Sequence, residues 1–116
     1  MKTLVLYVLL ATLGAAFGQS QMEMNAEAAA EFEKADRRLN AVYAKVQKQL
    51  DVQGRAKLRI AQRAWVEFRD AEAELHADTE ARGGSMAPLI LFGTMTRLTE
   101  ARTKQLEEFL QPGEDH

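Results

Sequence analysis

Cysteine is absent from this chain of 116 residues. Its absence excludes disulfides, thiol catalysis and cysteine-based metal sites, so packing alone must hold a folded domain together. Strand signals are also missing, because no segment keeps a sustained alternation of apolar and polar residues. Positive charge is not in excess either: the net charge is −2, which gives no support to nucleic-acid binding. We therefore expect a helical protein without a nucleic-acid partner.

The first residues have the layout of a Sec-type export signal. Lys2 forms a short positive region, residues 3–13 are apolar, and Ala16-Phe17-Gly18 is a small-x-small cleavage site. The apolar stretch is too short for a permanent membrane span. We expect a signal peptide at residues 1–18 and an exported protein, periplasmic or extracellular, with no stable span after cleavage. No Cys follows the cleavage site, so a lipid anchor is not expected. The alternative is a retained anchor helix.

Three amphipathic segments follow, and glycines separate them. Apolar residues recur three, four or seven positions apart in each segment, which predicts one stripe along a helix. We expect helices at about 25–53, 55–82 and 85–110, with Asn25 and Ser85 as N-caps, Gly54 as a C-cap glycine and Pro88 in the first turn of the third helix. The stripes consist of Phe32, Leu39, Tyr43, Val46 and Leu50; of Leu58, Ala61, Trp65, Phe68 and Leu75; and of Leu91, Met95, Leu98, Leu106 and Phe109.

Short connections favour antiparallel packing, so the predicted fold class is all-α, with three long antiparallel helices in a small bundle. The expected layout is a signal peptide at 1–18, a short linker at 19–24, the helical domain at 25–110 and a flexible tail at 111–116. Trp65 and Phe68 lie on the predicted inward stripe of the second helix, where a large ring would touch both neighbours. The alternative for Trp65 is a solvent-facing binding aromatic. Because three narrow stripes bury little surface, we expect a monomer or a weak homodimer.

Three segments have a recognisable order and spacing. They are ADRRLNAVYAKV at 35–46, AQRAWVEFRDAEAE at 61–74 and GGSMAPLILFGTMTRLTEARTKQL at 83–106. Together they resemble the motifs a-D-x-x-L-N-x-x-Y, Q-x-x-W-x-x-x-R-D and G-G-S followed by L-T-x-x-R-x-x-x-L of the LprI-like lysozyme-inhibitor domain, a bacterial exported family. The residues that carry the resemblance are Leu39, Asn40, Tyr43, Gln62, Trp65, Arg69, Asp70 and Arg102.

The chain departs from this family at Ala73 and Thr94, where members usually carry cysteines. The resemblance implies that those cysteines form a disulfide between the second and third helices. It also implies an exported cell-envelope interaction protein that inhibits a lysozyme-type muramidase, without catalytic activity and without a cofactor. The alternative is a structural or stress-related periplasmic module. Such a module would bind anionic wall or membrane components through Arg55, Arg59 and Arg63, which share a helix face.

Most side chains that could carry chemistry have a structural explanation. The polar family-motif residues share helix faces, so we expect a polar network between the first two helices, centred on Arg69 and joined by Arg102. Glu72, His76 and Glu80 share another face, but three ligands from one helix lack a fourth, and no metal site is expected. No nucleophile has a nearby His and Asp, so no catalytic residue is assigned.

The connection at residues 83–88 is the remaining candidate for a partner-binding site. Gly83 and Gly84 permit an unusual backbone shape, Ser85 offers a hydroxyl, and Met86 is an adaptable apolar tip. A muramidase cleft works through paired carboxylates, so we expect an inhibitor to insert a compact loop that donates hydrogen bonds. Loss of Lys2 with the signal peptide leaves a net charge of about −3, which would steer a cationic lysozyme toward the protein. The alternative is a loop that only connects two helices.

Overall fold

The computed structural model describes residues 2–110 and Pro112, with side chains from Ser20 onward. Its three helices are α1 (Lys2–Gln49), α2 (Val52–Ala81) and α3 (Ala87–Glu107), and no strand occurs in this part of the chain. The all-α prediction of three long helices is therefore confirmed. The predicted tail at 111–116 and the side chains of the predicted signal peptide fall outside the described residues, except for Pro112. Within the described helices, no stretch combines the length and apolar character that a membrane crossing needs.

The turn between α1 and α2 lies earlier than the glycine pattern predicted. α1 ends at Gln49 and α2 begins at Val52, so Gly54 is in the first turn of α2 and is not a C-cap. Asp51 is the N-cap, and its Oδ1 accepts a hydrogen bond from the Gly54 N–H at 2.7 Å. A Cβ at position 54 would stand 3.2 Å both from this oxygen and from Leu50. Glycine at position 54 therefore avoids crowding in the first turn of α2. The Asp51 carboxylate satisfies an N–H that has no partner within the helix.

The predicted starts of the other two helices are also wrong. Asn25 lies inside α1, where its side-chain oxygen accepts from Gln21 at 3.0 Å. The helix continues through residues 19–24, the predicted linker, because the alanines and glutamates that follow are good helix formers. The N-cap of α3 is Met86, without a side-chain hydrogen bond, so Ser85 does not cap it. α3 ends at Glu107, short of the predicted end, and Phe109 beyond it is exposed.

α3 packs along both other helices, whereas α1 and α2 touch each other at few positions. The three helices therefore form a bundle in which α3 makes most of the contacts between helices. The buried core cluster consists of Leu39, Val42 and Val46 of α1, Leu58 of α2 and Leu106 of α3.

Small side chains let α3 pack closely against both other helices. Thr94, Thr99 and Thr103 are buried along it, and the Thr103 hydroxyl donates to the Thr99 carbonyl at 3.0 Å. That bond satisfies a buried hydroxyl within its own helix. Because a threonine side chain is short, the backbones of the flanking helices can lie close to α3.

The face that α2 turns inward is not the predicted stripe. Phe68 is 51% exposed and Leu75 is 56% exposed, and Ala61 is exposed as well. Trp65 is half-buried and packs against the core cluster, as predicted for a core anchor. The residues of α2 that are buried are Leu58, Arg69 and Ala73. The inward assignment of Phe68 and Leu75 was wrong because an arginine takes the inward position.

Candidate functional site

Arg69 connects α1 and α2 where the two helices otherwise make little contact. The residue is only 7% exposed, and its Cζ lies 5.0 Å from the ring centroid of Phe32 on α1 and 5.2 Å from that of Trp65 on α2. A guanidinium over aromatic faces at this distance is an attractive cation–π arrangement. The buried cation is therefore held between rings from two helices.

Two carboxylates complete the surroundings of this guanidinium. Arg69 Nη1 lies 3.6 Å from Asp36 Oδ1 on α1, and Nη2 lies 2.9 Å from Asp70 Oδ1. Both carboxylates remain partly exposed, so the cation gains partners without the burial of a second full charge. Asp36 and Phe32 were not assigned as partners from the sequence. The aspartate of the ADRRLN segment was the available signal, since it lies three residues before Leu39.

The other polar family-motif residues do not form one network. Arg102 of α3 donates from Nε to Gln62 Oε1 on α2 at 3.0 Å, and partial burial lowers the pKa of its guanidinium. Tyr43 accepts from the Gln47 amide at 3.0 Å, within α1. Asn40 is exposed and contacts Asp36 at 3.5 Å. Arg102 thus joins α2 to α3, while the expected network between α1 and α2 is reduced to Arg69 and its carboxylates.

The connection between α2 and α3 is exposed at all four candidate residues, Gly83, Gly84, Ser85 and Met86. Gly83 has φ +66, in the left-handed region that favours glycine, and an added Cβ there would meet no atom within 4 Å. The Gly84 N–H donates to the Ala81 carbonyl at 2.8 Å. The loop is therefore a turn with its outer side open to a partner, and Met86 is 41% exposed at its end.

A surface cavity of about 350 Å³ lies beside this loop. The carboxylate of Asp78 holds Arg82 at 2.8 Å on its rim, and this hydrogen bond raises the pKa of Arg82. The cavity could receive a small side chain of a partner, with an apolar floor and a charged rim. Its lining consists of Glu74, Ala77, Asp78, Arg82, Gly83, Ala87, Pro88 and Leu91.

The predicted basic face is only partly available for a ligand. The Nε of Arg55 donates to the Leu50 carbonyl at 2.9 Å, at the end of α1. Arg59 and Arg63 are exposed beside a shallow cavity of about 540 Å³ that Tyr43 and Glu67 also line. Arg59 and Arg63 are therefore accessible to an anionic ligand, although the Glu67 carboxylate lies next to them.

His76 stands between two carboxylates, as its spacing predicted. Its ring nitrogens lie 3.5 Å from Glu72 and 3.9 Å from Glu80. Across the described residues, no group of three or more ligand side chains is arranged to hold a metal ion. These three side chains lie close together along one face of α2.

Ala73 and Thr94, the positions at which the family resemblance implies cysteines, are both buried. They lie on α2 and α3, two helices that pack against each other. Small side chains are therefore required there for packing reasons as well.

Comparison with known proteins extends over most of the three helices. The model of the family described as "Lysozyme inhibitor LprI" matches residues 14–106. An uncharacterized protein of Rhizobium meliloti is 35% identical over 109 aligned residues, which cover 83% of this chain and 78% of the relative. No solved structure matches the chain. The matched range includes Arg69 with both of its aromatic neighbours, and the exposed 83–86 loop.

Proposed function

Because the chain belongs to the LprI lysozyme-inhibitor family, we propose that it is an exported protein that binds and inhibits a lysozyme-type muramidase. The observation that carries this proposal is the family match over residues 14–106. Export is supported by the layout of residues 1–18, which resembles a signal peptide. The proposed role is non-catalytic, with the protein acting by occupying the cleft of its target.

The 83–86 loop is the proposed contact with the muramidase cleft. It is exposed at one end of the bundle, and the Ser85 hydroxyl has no hydrogen-bond partner among the described residues. A cleft built on two carboxylates offers acceptors to such a donor. The Gly84 N–H is already bonded to Ala81, so we assign the donation to Ser85 and the apolar contact to Met86.

The charges near the 83–86 loop support its proposed contact with the muramidase. Glu74 and Asp78 lie on the cavity beside it, and Glu80 is exposed on the same helix end. A cationic muramidase would be steered toward an acidic end of the molecule, which raises the association rate more than the affinity. Inhibition should therefore weaken as salt concentration rises.

The test measures muramidase activity with the purified protein added, using chicken-type and bacterial enzymes. We expect inhibition by the parent protein, and an inhibition constant at least tenfold higher for the variant Ser85→Ala/Met86→Ala. Phe109→Ala is the matched control, because Phe109 is exposed at the opposite end of α3 and should leave inhibition unchanged. No inhibition by the parent at tens of micromolar would overturn the function. Equal inhibition by the loop variant would keep the function and exclude the loop.

The alternative is an envelope module that binds anionic wall or membrane components through the basic face of α2. Exposed Arg59 and Arg63 beside Tyr43 favour it, whereas the engagement of Arg55 and the nearby Glu67 count against it. Cosedimentation with peptidoglycan, lost in Arg59→Ala/Arg63→Ala and kept in the loop variant, would favour this alternative over muramidase inhibition.

A further inference from the structure

The outward face of α2 carries a continuous apolar stripe. Ala61, Ala64, Phe68, Ala71 and Leu75 are spaced three, four, three and four residues apart, and all five are exposed. Ile60, at the edge of this set, is 70% exposed. These five residues are called the outer stripe below.

The outer stripe lies away from the two other helices. Successive helix residues turn by about 100°, so the centre of the stripe lies roughly 120° around α2 from Arg69, which faces α1. Neither α1 nor α3 covers it, because Phe68 and Leu75 are both more than half exposed. Alternating three- and four-residue spacing is the pattern of a seam between two paired helices. Alanine at three of the five positions would let a second helix approach closely.

The charges on α2 are divided between its two halves. The first half is basic and the second half is acidic. Apart from Arg69, which is buried, the basic residues are Arg55, Lys57, Arg59 and Arg63, and the acidic residues are Glu67, Asp70, Glu72, Glu74, Asp78 and Glu80. Two such helices repel each other when they are parallel, and attract each other when they are antiparallel, because each basic half then lies beside an acidic half.

We propose that the outer stripe is a self-association surface, on which α2 pairs antiparallel with α2 of a second copy about a two-fold axis. A two-fold axis requires the same patch on both partners, and a self-complementary charge pattern meets that requirement. The register that places Ala64 opposite Ala71 also places Ile60 opposite Leu75. In this register Lys57 of one copy lies opposite Asp78 of the other, so that Asp78 would add this contact to its present one with Arg82.

This dimer is weak. A standard stable interface buries about 1,600 Å² in total, and one helix face with three alanines offers much less. We expect a dissociation constant in the micromolar range, with monomer dominant in dilute solution. The acidic second half of α2 disfavours a membrane as the occupant, since helices that lie on membranes are rich in Lys and Arg on their polar face. The inference does not depend on muramidase inhibition.

Sedimentation velocity of the purified protein, from micromolar to millimolar concentration, tests the surface. We expect a concentration-dependent dimer, and a dissociation constant at least tenfold higher for Phe68→Glu. Phe109→Glu is the matched control, because Phe109 is 58% exposed but lies after α3; it should dimerise like the parent. A parent that stays monomeric throughout, or a dimer unaffected by Phe68→Glu, would overturn the proposal. So would a monomeric parent that binds lipid vesicles through Phe68.

Charge reversal and cross-linking test the antiparallel register. Lys57→Glu and Asp78→Lys should each weaken the dimer, and the double variant should restore it, with unchanged melting temperatures throughout. Because the chain has no cysteine, Ala64→Cys and Ala71→Cys proteins can be mixed under mild oxidation. The mixed disulfide should form faster than either homodimeric one. Preferential homodimeric cross-linking, or a double charge variant weaker than both single ones, would exclude this register.

Discussion

Arg69 contacts an aromatic ring on each of two helices while it is almost completely buried. A buried cation requires compensation, because its desolvation is costly. Here Phe32 and Trp65 supply ring faces, and Asp36 supplies a carboxylate from the facing helix. This side chain therefore adds an aromatic and ionic contact between α1 and α2, beside the core cluster that they share.

Replacement of Arg69 by alanine tests this joint. We expect Arg69→Ala to lower the free energy of unfolding by about 1–3 kcal/mol, through loss of the cation–π contacts and the pair with Asp36. Arg63→Ala, an exposed arginine on the same helix, should change it by less than about 0.5 kcal/mol. Urea unfolding followed by circular dichroism measures both. Similar values for the two variants would show that α1 and α2 are joined by other contacts.

At the scale of the element, the starts of α2 and α3 differ in whether a side chain caps them. α2 begins with a cap whose carboxylate is bonded to the N–H of Gly54, whereas α3 begins at Met86 without a side-chain cap. Pro88 contributes to the start of α3 instead, since it lacks the N–H that a first turn leaves unpaired. Ser85 is therefore available for a partner, because the helix does not use its hydroxyl.

Alanine substitutions at Asp51 and at Ser85 test which of the two side chains stabilises a helix start. Asp51→Ala should destabilise the protein by about 1 kcal/mol, as expected for the loss of an N-cap. Ser85→Ala should leave thermal stability unchanged, because it removes no bond that holds α3. Paired melting curves give the comparison. A larger loss for Ser85→Ala than for Asp51→Ala would contradict the caps assigned here.

At the scale of the whole molecule, a small bundle of three helices must be stable without a disulfide. α3 packs along both neighbours, and its buried threonines leave room for close helix approach. Ala73 and Thr94 occupy the places where relatives are expected to carry cysteines. Both are buried on helices that pack together, and the Arg69 and Arg102 contacts also join the helices without a disulfide.

Cysteines at these two positions should therefore form a disulfide. We expect oxidised Ala73→Cys/Thr94→Cys to gain about 3 kcal/mol in the free energy of unfolding over its reduced form, because the cross-link restricts the unfolded chain. Denaturation with and without reductant measures the gain, and each single variant serves as its control. Free thiols that persist in the folded, oxidised protein would show that the two positions are not adjacent, since a disulfide needs Cα atoms within about 7 Å.

Local chemistry in the sequence determined that the chain is helical, that it has three helices, and that they are separated near residues 50–54 and 82–86. Helix periodicity, adjacent glycines and a proline act over a few residues, so they can be read without tertiary contacts. Even here Asn25, Gly54 and Ser85 were misassigned as caps, because several polar residues near a helix end compete for one role.

Only the tertiary structure decided which face of α2 is buried and which helix makes most of the contacts with the other two. The apolar spacing favoured Phe68 and Leu75 as inward residues, yet they are exposed and Arg69 is buried. An arginine can take an inward position only where aromatic rings and a carboxylate compensate its charge. Those partners, Phe32 and Asp36, are more than thirty positions away in the sequence, and only the packed chain brings them to α2.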